Sequence, residues 1–119
     1  MRVLVVDAAN VIGSVPDGWW KDRPGAARRL HTGLVGAQLD ADRVVLVLEG
    51  RARAGVPEGT DGRVETVHAP ASGDDEVVAQ VEALSGHDVT IASADRELLA
   101  RIPGAVPLGP RTLRTALHQ

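Results

Sequence analysis

The stretch "MRVLVVDAANVIGS" (residues 1–14) decides the fold, because a short, almost unbroken aliphatic segment runs directly into a carboxylate. Val3 to Val6 show no alternation of polar and apolar residues, which predicts a strand buried on both faces of a sheet. Asp7 ends that strand, and Asn10 follows three residues later. A buried strand rarely ends on an unpaired charge. Asp7 therefore has a functional meaning if other strands bring carboxylates to the same edge.

The rest of the chain alternates strand and helix patterns, which predicts an α/β domain with a mostly parallel sheet. We expect one domain over residues 1–119. Strands are predicted in five segments, of which the third and the fifth are expected at sheet edges: residues 3–6, 43–50, 63–69, 87–94 and 104–109. Helices are predicted over residues 22–39, 72–84, 95–102 and 110–119, and residues 51–62 are predicted to form a glycine-rich loop.

The composition excludes several classes of protein. The hydrophobic fraction of 44% is too high for a disordered chain, and the net charge of -3 does not indicate a strongly basic nucleic-acid binder. The absence of cysteine from the sequence excludes disulfides and thiolate metal sites. There is no signal-peptide pattern and no apolar run of about 20 residues, so we expect a cytoplasmic protein that does not contact a membrane.

Acidic residues recur at the predicted carboxyl ends of the strands, where ligands bind in open α/β sheets. Asp7 ends the first strand, Glu49 ends the second, the fourth leads to Asp95, and a helix opens on Asp74 and Asp75. Clustered carboxylates repel one another unless a cation compensates. Oxygen donors without a cysteine or histidine cluster indicate Mg²⁺ or Mn²⁺ rather than zinc.

Each acid also has a structural explanation. Asp74 and Asp75 would be favoured by the dipole at a helix start, Asp95 could cap a helix, and Glu49 could be a simple loop acid. Asp7 is the hardest to explain in this way. Taken together, these positions favour a metal site over separate structural roles.

Three motifs in the same order along the chain resemble a known family. "VVDAANVIG" (5–13), "SGDDEVV" (72–78) and "IASADREL" (91–98) are together similar to the NYN branch of the PIN-like nuclease superfamily, which includes the YacP-like ribonucleases. The resemblance implies a three-layer sandwich whose five-stranded, mostly parallel sheet has the order 3-2-1-4-5. It also implies Mg²⁺- or Mn²⁺-dependent cleavage of phosphodiester bonds in RNA.

The resemblance assigns roles to individual residues. Asp7 and Asp95 would be the principal metal ligands, with Asp75 as the catalytic-site carboxylate from the helix start, also a metal ligand, and Asp74 as its rival for that position. Asn10 would orient the catalytic site or contact a phosphate. At the end of the second strand the family often has Asp-Gly, whereas this chain has Glu49 followed by glycine, so a metal role for Glu49 stays open.

Candidate substrate-binding residues flank these acids. Arg51, Arg53 and Arg96 could bind phosphates, although solvated surface arginine is the ordinary alternative. One of Trp19 and Trp20, which precede Lys21, could stack on a base, whereas the other is expected to pack under the first helix. We expect single-stranded RNA as the partner and leave open whether the chain forms a homodimer.

The sequence thus predicts a metal-dependent ribonuclease. Two other functions stay open at this point. One is an RNA-binding module of the same fold with little catalytic activity, which the net acidity and the short chain would suit. The other is a hydrolase of nucleotides or other small phosphoesters that uses the same acidic pocket.

Overall fold

The computed structural model describes residues 1–118 and contains one continuous sheet covered by helices. The strands are β1 (Arg2–Asp7), β2 (Arg43–Leu48), β3 (Gly59–Asp61), β4 (Val64–His68), β5 (Asp88–Ala92) and β6 (Val106–Leu108). The α-helices are α1 (Ala8–Gly13), α2 (Arg23–Gly36), α3 (Gly73–Ala83), α4 (Arg96–Arg101) and α5 (Pro110–Leu117). Short 3₁₀ helices cover Trp19–Lys21 and Gly50–Gly55.

The strand order is β3-β4-β2-β1-β5-β6, and all neighbours except β3 and β4 are parallel. The five parallel strands therefore have the predicted order 3-2-1-4-5. At the centre of the sheet, Val5 of β1 lies between Val45 of β2 and Ile91 of β5. Because these strands are parallel, their carboxyl ends meet at one edge of the sheet.

Alternate residues of the central strands enter two separate cores. In β1, Leu4 and Val6 pack on the side of α1, α2 and α5, whereas Val3 and Val5 pack on the side of α3 and α4. All four side chains are at most 5% exposed. Burial on both faces explains the aliphatic runs without alternation. The predicted three-layer α/β sandwich is confirmed.

The helices are short, and the longest of them, α2, has 14 residues. Asp22 caps it by accepting a hydrogen bond from the backbone N–H of Gly25 at 3.0 Å. The helix ends at Gly36, three residues before the predicted end, because Ala37 adopts an extended conformation. Among residues 1–118, no helix combines the length and the apolar character needed to cross a membrane.

Two predictions about the strands after β2 were wrong. Within the predicted loop, Gly50–Gly55 forms a 3₁₀ helix and Gly59–Asp61 forms β3, which pairs antiparallel with β4. A two-residue turn joins β3 to β4, and Gly62 adopts the positive φ of 59° that such hairpin turns favour. The β4 strand is consequently not an edge strand, whereas β6 is at an edge, as predicted.

Candidate functional site

Asp7 lies at the carboxyl end of the central strand and is almost completely buried, with 5% of its surface exposed. Its Oδ2 accepts a hydrogen bond from the Ser93 hydroxyl at 2.9 Å. Its Oδ1 accepts a longer one, of 3.4 Å, from the backbone N–H of Asn10. Asp7 thus ends β1 and caps α1 at the same time. That short helix, which the sequence did not predict, turns the chain sharply after the carboxylate.

The electrostatic surroundings of Asp7 are unusual for a carboxylate. Burial is the main cause that raises its pKa from 3.8 to about 6, while the hydrogen bonds from Ser93 and Asn10 lower it. The negative charges of Asp74 and Glu49 raise it further. The carboxylates from β1, from the end of β2 and from the start of α3 are therefore near enough to repel one another.

Ser93 connects Asp7 to a second acid. Its hydroxyl is 2% exposed, and its oxygen accepts a 3.1 Å hydrogen bond from the backbone N–H of Asp95. Asp95 in turn caps α4, since its Oδ1 accepts from the N–H groups of Glu97 and Leu98 at 3.0 and 3.2 Å. Ser93 was not among the site residues predicted from the sequence. The signal for it was a hydroxyl residue directly after a buried strand and two residues before an acid.

Asn10 joins α1 to the segment that follows β5. Its Oδ1 accepts a hydrogen bond from the backbone N–H of Ala94 at 2.9 Å. Since Asn10 belongs to α1 and Ala94 follows β5, this bond fixes the start of α1 against the segment that leads to Asp95. Both roles predicted for Asn10, to orient the site or to contact a phosphate, stay predictions.

The two acids at the start of α3 face different surroundings. Burial and the negative charges of Asp95 and Glu49 raise the pKa of Asp74, and the nearby Arg101 lowers it. Asp75 is 70% exposed at its side chain, and its Oδ1 lies 2.9 Å from Nη2 of Arg101. The backbone N–H of Asp75 donates to the helix-capping hydroxyl of Ser72. The structure thus favours Asp74 over Asp75 as the helix acid of the site.

Glu49 reaches across to the start of α3. Its Oε2 accepts a hydrogen bond from the backbone N–H of Gly73 at 3.0 Å. The carboxylate lies so close to this glycine that a Cβ there would come within 2.8 Å of Oε1. Glu49 therefore binds the first turn of α3 and, through it, positions Asp74.

The acids of this edge offer oxygen donors, the type of ligand that a hard divalent cation binds: Asp7, Asp74, Asp95 and Glu49. Burial, together with nearby negative charge, raises the pKa of Asp7 and of Asp74. These side chains are farther apart than the ligands of a complete metal-coordination sphere. Within residues 1–118, no three His, Cys, Asp or Glu side chains form a group that could hold a metal ion. Mg²⁺ commonly retains several waters and takes only one or two protein carboxylates, so the donor set fits such a hydrated ion.

The predicted substrate-binding residues are distributed around this edge. Trp19 packs against the core on the α2 side, whereas Trp20 is 51% exposed, so the two tryptophans differ in burial as expected. The guanidinium of Arg53 donates to the carbonyls of Gly50 and Ala69 at 3.0 and 3.3 Å, which gives it a structural role. The remaining three are exposed: Lys21, Arg51 and Arg96.

Solved structures of Rae1 (YacP) share the α/β fold of this chain. The chain is similar to a mutant of Rae1 (YacP) from Bacillus subtilis, with a TM-score of 0.77 and 22% identity over 99% of this chain and 76% of that chain. Against another crystal structure of Rae1 (YacP) from Bacillus subtilis the TM-score is 0.74 at 20% identity, covering 99% of this chain and 74% of that one.

At this level of identity the likeness establishes the fold. No protein-family model matches the sequence, and no curated protein matches it at a significant level. The resemblance predicted from the three motifs is therefore confirmed for the fold, while the roles of individual residues stay predictions.

Proposed function

We propose that this protein is a metal-dependent ribonuclease that cleaves single-stranded RNA at the carboxyl edge of its sheet. The observation that carries the proposal is the buried Asp7 carboxylate, which is held by Ser93 and surrounded by the charges of Asp74 and Glu49. Burying a carboxylate among other carboxylates costs stability in the absence of a counter-charge. A cation bound at this site explains this loss of stability better than a role in folding alone.

Asp7, Asp74 and Asp95 would surround Mg²⁺ or Mn²⁺, with one or two of them as direct ligands and the others bound through the waters of the ion. When bound, such an ion neutralises charge on the phosphate oxygens and activates water for hydrolysis. Ser93 would keep the Asp7 and Asp95 ends of the site together, and Asn10 would hold α1 in place beside them. Glu49 would support Asp74 through the start of α3.

The chain's own residues would position the substrate rather than react with it. Hydrolysis of a phosphodiester requires no protein nucleophile when an activated water is present. The exposed Arg51, Arg96 and Lys21 are available for phosphate contacts around the site, since arginine and lysine supply most of the contacts to nucleic-acid backbones. The exposed Trp20 offers a surface on which an unpaired base could stack.

The experiment is a comparison of substrates and ions with the purified protein. A labelled single-stranded RNA and a set of nucleotides are each incubated with Mn²⁺ and with EDTA. We expect cleavage of the RNA with Mn²⁺, none with EDTA, and slow or no turnover of nucleotides. Equal RNA cleavage in EDTA would refute the metal dependence, and turnover of nucleotides alone would indicate a hydrolase of small phosphoesters.

A second candidate function is supported by the open arrangement of the acids. Because no three of the metal-binding side chain types within residues 1–118 form a coordination group, an RNA-binding module that cleaves nothing measurable is also consistent with the fold. The same assay separates the two functions when RNA binding is measured in parallel. Binding without cleavage at any Mn²⁺ concentration would favour the binding module.

A further inference from the structure

A cavity of about 320 Å³ opens next to the acidic site, between α1, the start of α2 and the 3₁₀ helix after β2. This volume is at the lower end of the range of about 300–1,000 Å³ that is typical of small-molecule sites. Small and aliphatic side chains form part of its wall together with a tryptophan, an arginine and a glutamate; the lining includes Ala8, Ile12, Ala52, Trp19, Arg23 and Glu49. An apolar wall with two opposite charges suits a flat, polar-edged ring.

Glu49 lines this cavity, and its carboxylate retains acceptor capacity. Glu49 uses Oε2 for the backbone N–H of Gly73, and an ionised carboxylate has about four lone-pair positions in total. Since a carboxylate can only accept, a ligand that approaches Glu49 from the cavity must present N–H or O–H donors. Two adjacent donors would match its two oxygens best.

The arginine in the cavity has the complementary character. The guanidinium carbon of Arg23 lies 5.4 Å from the centroid of the Trp19 ring, so the indole holds this cation by a cation–π contact. A guanidinium offers only donors, in a fixed fork that pairs with two adjacent acceptors. A ligand that fills the cavity therefore needs a donor edge for Glu49 and an acceptor edge for Arg23.

We propose that this cavity binds the guanine base of a single-stranded RNA substrate. Guanine is the RNA base with two adjacent donors, N1–H and the N2 amino group, on one edge and two adjacent acceptors, O6 and N7, on another; arginine commonly binds the latter pair. The inference rests on the proposed function, because it places a base of the substrate beside the cleavage site.

The other three bases leave groups of this cavity unpaired. Adenine and cytosine each present an amino donor next to a ring acceptor, which would face the Glu49 carboxylate. The single N3–H of uracil lies between two carbonyl oxygens, which would do the same. Directing an acceptor at a carboxylate is unfavourable, and an unmatched polar group in a partly enclosed site loses its water without compensation. The cavity therefore discriminates by repulsion as well as by attraction.

The test measures equilibrium binding in EDTA, so that it does not depend on cleavage. Four short RNAs are titrated by fluorescence anisotropy; each has adenine at every position except a central one, which is G, A, C or U. We expect the guanine-containing RNA to bind at least about fivefold more tightly than the others, the lower range for a bidentate base contact. Equal affinity for all four RNAs would overturn the proposal. Comparable affinity for free GMP would overturn the assignment to RNA and point to a guanine nucleotide.

Glu49→Gln is the informative variant. The glutamine oxygen can still accept from the N–H of Gly73, while its amino group replaces an acceptor by a donor in the cavity. We expect the guanine preference to disappear, because the substitution weakens the contact to guanine and removes the repulsion of the adenine ring acceptor. Glu82→Gln, which removes the same charge from an exposed position of α3, is the matched control and should retain the preference.

A second variant keeps the proposal testable if Glu49→Gln does not fold. Arg23→Gln leaves Glu49 intact and should also reduce the preference for guanine, because it removes the fork that binds O6 and N7. A full preference in a folded Glu49→Gln or Arg23→Gln protein would overturn the proposal. If the wild-type protein prefers guanine but shows no Mn²⁺-dependent cleavage of RNA, the proposed function alone would be refuted.

Discussion

The Ser93 hydroxyl donates a 2.9 Å hydrogen bond to Oδ2 of Asp7 and so joins two residues 86 positions apart. The two strands that carry them are neighbours in the sheet, where Val6 pairs with Ala92. The same hydroxyl oxygen accepts from the N–H of Asp95. One buried side chain therefore sets the separation of two acids that the sequence predicts to act together.

Replacing Ser93 with alanine should destabilise the metal-free protein by about 1–3 kcal/mol. The reason is that a buried carboxylate and a partly buried N–H would each lose a hydrogen-bond partner. Urea unfolding in EDTA measures the change. Ser85→Ala, at an exposed position, is the control and should stay within about 0.5 kcal/mol of the wild type. Equal stability of the two variants would show that Ser93 does not hold the site.

Asp7→Asn should remove a pH dependence of stability. The folded protein binds the Asp7 proton more tightly than the unfolded chain does, because the pKa rises from 3.8 to about 6. The stability that this group contributes is therefore complete below about pH 4 and is lost as the pH rises through about 6. The difference in unfolding free energy, Asp7→Asn minus wild type, should increase by roughly 2 kcal/mol between about pH 4.5 and about pH 7.5.

The measurement is a series of urea unfolding curves for both proteins in EDTA across this pH range. Taking the difference cancels the titration of carboxylates that the two proteins share. It also cancels any constant cost of placing an amide next to Ser93. A difference that does not change with pH would mean that Asp7 is not perturbed by its surroundings.

Asp95→Asn should separate capping from metal binding. Asparagine caps helices about as well as aspartate, so the α4 cap should survive. The substitution also removes a charge that acts on Asp74. We therefore expect a melting temperature in EDTA at or above that of the wild type.

An ion that binds only the folded state stabilises it, so Mn²⁺ should raise the melting temperature of the wild type and raise that of Asp95→Asn much less. Equal increases would exclude Asp95 as a ligand.

Asp74→Asn and Asp75→Asn form a matched pair at neighbouring positions of one helix turn. Asp74 faces the charges of Asp95 and Glu49, whereas Asp75 pairs with Arg101 at an exposed position. We expect Asp74→Asn to lower Mn²⁺-dependent RNA cleavage by at least about 10-fold and Asp75→Asn to change it by less than about threefold. Because exposed ion pairs contribute little, Asp75→Asn should also leave the stability nearly unchanged. The opposite ranking would restore Asp75 as the site acid.

Much of the fold could be predicted from the sequence, because the hydrophobic patterns of the central strands indicate buried strands and nothing else. The aliphatic runs before Asp7 and Glu49 are β-branched and lack alternation, and burial on both faces explains them. The β3 strand could not be predicted in the same way. Its three residues, Gly59–Asp61, are exposed and include no large apolar side chain, and they form a strand by pairing with the free edge of β4.

The acids at the strand ends were predictable, but their contacts were not. Successive residues of a helix differ in direction by about 100°, so the exact helix start decides whether Asp74 or Asp75 faces the sheet. Ser72 fixes that start by capping α3. Two contacts join segments that are distant in the sequence: the one between Glu49 and Gly73 and the hydrogen bond from Ser93 to Asp7. Local sequence patterns do not predict such contacts.

The rate at which Asp7→Asn cleaves a labelled single-stranded RNA in Mn²⁺, relative to the wild type, tests the proposed function most directly. The two proteins are purified identically, and their far-UV circular dichroism spectra are compared first, so that a loss of activity cannot reflect unfolding. Since loss of a group that merely supports a ligand costs about 10–100-fold, loss of Asp7 itself should lower the rate by more than about 100-fold. A folded Asp7→Asn protein that cleaves RNA at the wild-type rate would contradict a nuclease site built on this carboxylate.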